Sequence, residues 1–108
     1  MEEKINRLAD FSIQLTEGKV DNIFDYYMPL SSYCCRNVNE PITDDFNDVI
    51  GNDGGIILVM LKIRIKMLEM EYQKTKDDSL KNKISLYIKE YEEKYTEYME
   101  VFRKKHSI

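Results

Sequence analysis

Apolar positions recur most regularly near the C-terminal end of the chain. Leu80, Ile84, Tyr87, Ile88, Tyr91, Tyr95, Tyr98, Met99 and Phe102 fall within an arc of about 120° at helical periodicity, with Glu and Lys over most of the remaining surface. The spacing predicts an amphipathic helix over residues 79–105. Glu90 with Lys94 and Glu100 with Lys104 are i, i+4 pairs in the favourable order. Arg103, Lys104 and Lys105 stand where the helix dipole welcomes cations.

The densest apolar run, GGIILVMLKIRIKMLEMEY from Gly54 to Tyr72, carries two periods at once. LKIRIKM over residues 61–67 alternates strictly, which alone reads as a strand with Lys62, Arg64 and Lys66 on its wet face. Over the longer window Lys62, Lys66, Glu69 and Gln73 fall on one helical line. Ile56, Met60, Ile63, Met67 and Met70 form an apolar flank on one side of it, and Ile57, Leu61, Ile65, Leu68 and Tyr72 form another. Length favours the helix, and a helix with two apolar flanks must be covered on both sides. Beyond Gly55 the chain contains neither glycine nor proline. The one interruption is KDDS at residues 76–79, where Asp77 or Asp78 is suited to cap a new helix. A continuous helix would be a rod of about 75 to 80 Å with bare apolar flanks. We therefore expect a hairpin of helices over 56–75 and 79–105.

The first half is less regular. Ile5, Leu8, Phe11 and Leu15 share one arc, predicting a helix over residues 1–17 that ends at Glu17-Gly18. Residues 18–55 read as short helices and acidic loops. Asp21 is suited to cap a segment NIFDYYM that stops near Pro29, and residues 30–41, with serines, Cys34, Cys35, asparagines and Pro41, look loop-like. Thr43 followed by DDFNDVI and Gly51 predicts a short helix with Phe46, Val49 and Ile50 turned inward and an acidic outer surface. The fold class expected is all-α, a small helical bundle with a long C-terminal helical hairpin in one domain spanning 1–108. The alternative is α+β, if residues 56–67 form a strand.

Charge divides the chain. Residues 1–55 hold four bases against eleven acids, and residues 56–108 hold twelve bases against nine acids, within a formal net charge of −4. Such asymmetry predicts that the acidic part lies partly over the basic one, or that it presents an acidic surface to a partner. Two adjacent cysteines give no disulfide framework, and no signal peptide or membrane-length apolar run is evident. These features point to a soluble protein of the cytoplasm.

Candidate chemistry is sparse. Glu40, Asp44, Asp45, Asp48 and Asp53 cluster without an intervening base and are the candidate partner-binding residues. They do not fit a calcium loop, because counting from Asp48 puts Ile50 at a ligand position and Met60 at the last. His106 is the only histidine and lies in a basic tail expected to fray, and the cysteine pair lacks a second pair for zinc. GNDGG lacks the lysine and hydroxyl of a phosphate-binding loop. No catalytic residue, cofactor site or metal site is therefore assigned, and no small-molecule substrate is evident. The tyrosines at 87, 91, 95 and 98 fit a core seam better than a base-stacking platform, since Glu90, Glu92, Glu93 and Glu97 interrupt any basic groove beside them.

The sequence is thus read as a non-enzymatic module that binds another protein, as an inhibitor, adaptor or antitoxin-like partner, through an acidic surface and an exposed apolar helix face. A structural homo-oligomer is the alternative. Nucleic-acid binding through Lys74, Lys76, Lys81 and Lys83 with the basic C-terminal tail is disfavoured by net acidity.

Overall fold

The computed structural model describes residues 1–19, 22 and 24–107. Five helices follow one another: α1 Glu2–Thr16, α2 Phe24–Arg36, α3 Pro41–Ile50, α4 Gly55–Lys74 and α5 Asp78–His106. No strand occurs among the described residues, so the all-α expectation holds and the strand alternative for residues 56–67 is not realised. The alternation of LKIRIKM is compatible with a helix because its cations leave the core in different directions. Lys62 and Lys66 turn toward α1, where Glu2 and Asp10 meet them, and Arg64 turns to solvent.

Helix α4 is the centre of the molecule and touches each of the other four. Its fully covered residues, Leu58, Val59, Ile63 and Ile65, meet the stripe Ile5, Leu8, Ala9 of α1 and the residues Tyr95, Met99 and Phe102 of α5 in one continuous core. Burying a side chain such as Leu58 or Ile63 contributes roughly 1.5–3 kcal/mol. Helix α5 packs chiefly along α4, with Glu2 of α1 reaching Tyr95. The hairpin is closed by Thr75 to Asp77, and Asp77 caps α5 by accepting from the N–H groups of Ser79 and Leu80.

Helix α1 ends as its sequence predicts: Glu17 adopts a left-handed conformation, and the Gly18 N–H donates to the Ile13 carbonyl at 3.1 Å. Leu15, expected inward, is more than one-third exposed, while Ser12 is buried in the same helix. Helix α2 departs furthest from expectation, since it runs through Pro29 and takes in most of the segment read as a loop. The physical reason is a stripe four residues apart, Tyr26, Leu30 and Cys34, each almost wholly buried. Burial of that stripe outweighs the hydrogen bond that Pro29 cannot donate, a loss worth about 3 kcal/mol in a helix interior. The suggested cap Asp21, together with Val20 and Ile23, lies outside the described residues.

Helix α3 starts two residues before the expected Thr43, with Glu40 at the cap position and Pro41 in the first turn, where a missing N–H costs nothing. Thr43 instead donates its hydroxyl proton to the Asn37 carbonyl. The turn into α4 rests on two glycines. Gly54 has a φ of 91°, which side chains rarely tolerate, and a Cβ on Gly55 would overlap the Val49 carbonyl oxygen. That contact locks the end of α3 onto the start of α4.

Candidate protein-docking face

The α4–α5 hairpin has two long sides, and only one is covered. On the covered side α1 lies along α4, with Lys66 paired to Asp10 at 2.9 Å and Lys62 at 3.7 Å from Glu2. Lys62 also sits 4.2 Å above the ring of Tyr95. On the other side Ile57 of α4 and Leu80, Tyr87, Tyr98 and Val101 of α5 remain exposed, between 43% for Ile57 and 61% for Val101. Half-buried Leu61, Leu68 and Tyr91 lie between these two rows. At one end Ile57, Tyr98, Val101 and Phe102 form a shallow groove closed by Asp53, Gly54 and Lys105. Further along, Arg64 and Lys94 approach the Tyr91 ring at 5.9 and 5.4 Å. Lys94 therefore faces an aromatic ring, and no ion pair joins it to Glu90, nor Lys104 to Glu100, among the described residues.

The five acidic candidates do not form one open surface. Asp45, expected on the outer side of α3, is buried and accepts two hydrogen bonds from the Arg7 guanidinium, at 2.7 and 3.0 Å. The bidentate geometry fixes α1 against α3, and the Asp45 hydrogen bonds raise the Arg7 pKa above its ordinary value. Asp48 is exposed and accepts from Lys4 at 2.6 Å. Glu40 accepts from the Tyr33 hydroxyl at 2.6 Å, a bond that raises the Tyr33 pKa. Asp53 is paired with Lys105, whose hydrogen bond and charge hold its carboxyl below the usual aspartate range. Asp44 alone of the five is exposed without an ion pair or side-chain hydrogen bond among the described residues. The charge asymmetry of the chain is thus used in part within it: Glu2, Asp10 and Asp53 from the acidic part meet Lys62, Lys66 and Lys105 from the basic part.

The tyrosines predicted as one seam divide. Tyr95 is buried, Tyr91 is half-buried, and Tyr87 and Tyr98 are about half exposed. Burial first, and the Glu2 carboxylate second, push the Tyr95 phenol well above its ordinary pKa. His106 is not frayed. Its Nε2–H donates to the Asp53 carbonyl at 2.9 Å and its ring packs on Phe102, which together fasten the end of α5 to the α3–α4 turn. Of the tip cations, Lys81 lies 5.1 Å above the Tyr72 ring. Cys34 is a buried free thiol whose pKa is raised mainly by that burial, while the Cys35 thiol is exposed.

The open side is the feature that the sequence did not resolve. One signal was available: helix 56–72 carries two apolar flanks, more than one neighbour covers. What the pattern could not say is that most of the bare side chains would belong to α5, whose apolar arc reads as a core seam. Among the described residues no group of three or more His, Cys, Asp or Glu side chains is placed to hold a metal ion, and no described helix is long and apolar enough to cross a membrane. No family model matches the chain, and neither a curated protein nor a solved structure matches it.

Proposed function

We propose that this protein is a non-enzymatic protein-binding module whose docking face is the open side of the α4–α5 hairpin. The observation that carries the reading is a line of exposed apolar and aromatic side chains on one side of the hairpin, Ile57, Leu80, Tyr87, Tyr98 and Val101, left bare in a molecule whose core is closed without them. Exposed tyrosines framed by aliphatic side chains are what protein interfaces select, because each ring supplies a large contact area and a polar tip. The acidic candidates support the reading less strongly, because Asp45 and Asp53 are engaged within the chain. Along the α3 edge Asp48 is exposed but paired with Lys4, so Asp44 is the one of the five that offers an unpaired charge, among the described residues, to steer a basic partner.

The test compares wild type with Tyr98→Asp and Val101→Asp in pull-downs from lysate of the source organism. Both positions are exposed, so the variants should keep their helical circular dichroism and Tm. A near-stoichiometric protein retained by wild type and lost from both variants supports the docking face. Equal retention by all three removes it. Replacing Asp44 and Asp48 by Asn tests the α3 edge separately; an unchanged association rate at low salt would remove that edge from recognition.

The same face could instead pair with its copy. Light scattering separates the readings, since a monomer at micromolar concentration excludes the oligomer as the basic unit. Nucleic-acid binding is disfavoured by Glu92, Glu93 and Glu97, which occupy the back of α5 with Lys89.

A further inference from the structure

We propose that the occupant of the open hairpin face is an amphipathic helix of another protein, with acidic residues flanking its apolar stripe. The inference rests on the docking face proposed above and adds the chemistry of the partner.

The secondary structure of the occupant follows from the shape of the receptor. Every element described in this chain is a helix, so there is no sheet edge to which an extended peptide could add. Two antiparallel helices leave between them a straight groove, and a third helix fits such a groove by setting its own ridge of side chains into it. The bare strip extends along α4 from Ile57 to Leu68, about 16 Å at the helical rise, or three turns of a docked helix. Apolar anchors at i, i+3 or i+4, and i+7 would then meet Ile57 with Val101 and Tyr98 at one end and Tyr91 with Tyr87 at the other.

The sign of the flanks follows from unpaired charge. Lys62 and Lys66 on the covered side each have a carboxylate supplied by α1. Arg64, Lys83 and Lys94, exposed on the open side or along its rim, have no ion pair among the described residues. Asp53 is already committed to Lys105 and Glu97 lines the back of α5, so Glu71 and Glu90 are the acids nearest the strip, two against the three cations. On the covered side α1 itself is an amphipathic helix that brings Glu2 and Asp10 to the hairpin cations. The open side offers the same arrangement with that helix missing. A second copy of the chain fits less well in any register whose two-fold axis passes beside Arg64 and Lys94, since those cations would then face their own copies.

The experiment uses a phage-displayed library of helical peptides with fixed apolar positions at i, i+4, i+7 and i+11 and randomised flanks. It is selected on the full chain and counter-selected on Tyr98→Asp, with sedimentation of the chain alone run in parallel. The expected result is enrichment of Asp and Glu in the flanks of clones that need Tyr98. A synthetic peptide of the winning sequence should then bind the Arg64→Glu, Lys94→Glu double variant roughly tenfold more weakly at low salt, with the difference shrinking at high salt. Clones that need Tyr98 but show no acidic bias overturn the inference and leave the docking face standing. If no clone depends on Tyr98, both the inference and the docking face fail. A concentration-dependent dimer abolished by Tyr98→Asp also overturns the inference, because a second copy then fills the face.

Discussion

The two flanks of α4 are nearly equal in apolar content, yet they are covered unequally, apart from Met70, exposed on the Ile63 flank, and Ile65, buried on the Ile57 flank. The flank carrying Ile56, Ile63 and Met67 is covered by α1 and α2, and the edge formed by Ile57, Leu61 and Leu68 borders the bare face. The difference lies in the chain that precedes the hairpin. Helix α1 can lie on the covered side because Glu2 and Asp10 are spaced to meet Lys62 and Lys66 while Ile5 and Leu8 enter the core between them. On that side the paired cations of α4 and the apolar stripe of α1 agree, and the buried stripe supplies most of the energy.

This comparison is broken most directly by truncating one residue from each side. Leu58→Ala, at a fully buried position, should cost about 2–5 kcal/mol, through lost transfer energy and the cavity left behind. Ile57→Ala, its exposed neighbour, should cost within about 0.5 kcal/mol. Urea unfolding of the two variants measures both. Equal destabilisation would mean that the open side is closed in solution, and the docking face would have no vacancy to fill.

Gly55→Ala probes the junction that positions α4 for both sides. Its Cβ would overlap the Val49 carbonyl, so the α3–α4 turn must shift, at a cost of about 1–3 kcal/mol by the usual scale of overpacking. A variant as stable as wild type would show that α3 is not tightly seated there. A smaller effect is expected at the polar seam between α1 and α3. Arg7→Ala strands the buried Asp45 carboxylate, whereas Lys4→Ala frees the exposed Asp48, so the first should lower the Tm more than the second. The reverse order would mean that Asp45 finds another partner or reaches water.

Much of the architecture was legible because period and punctuation agree in the long elements. The α5 pattern, the break at KDDS and the Glu17-Gly18 stop each have a local physical cause that the structure retains. The middle was misread for the opposite reason. Proline at 29 is a strong local signal against a helix, and only tertiary burial of Tyr26, Leu30 and Cys34 overrides it. The acidic candidates were visible as a cluster but their pairing was not, since Arg7 with Asp45 and Lys105 with Asp53 are separated by 38 and 52 positions. Which tyrosines of α5 stay exposed was hidden likewise, because the answer depends on where α1 lies.

The smallest expected effect concerns the rim of the open side, where Asp53 meets Lys105. A carboxyl held below its ordinary range by a cation binds fewer protons folded than unfolded at mildly acidic pH. Its contribution to stability is therefore present at neutral pH and is lost as pH falls through the lowered folded value. Followed by carbon-13 NMR, Asp53 should titrate below the ordinary aspartate range, and Lys105→Gln should move its midpoint upward. An ordinary midpoint in wild type would mean that the pair does not persist in solution. Lys105 would then be a fourth unpaired cation beside Arg64, Lys83 and Lys94, and Asp53 an open acid next to Ile57, so the charge contrast between the two sides of the hairpin would have to be redrawn at that end.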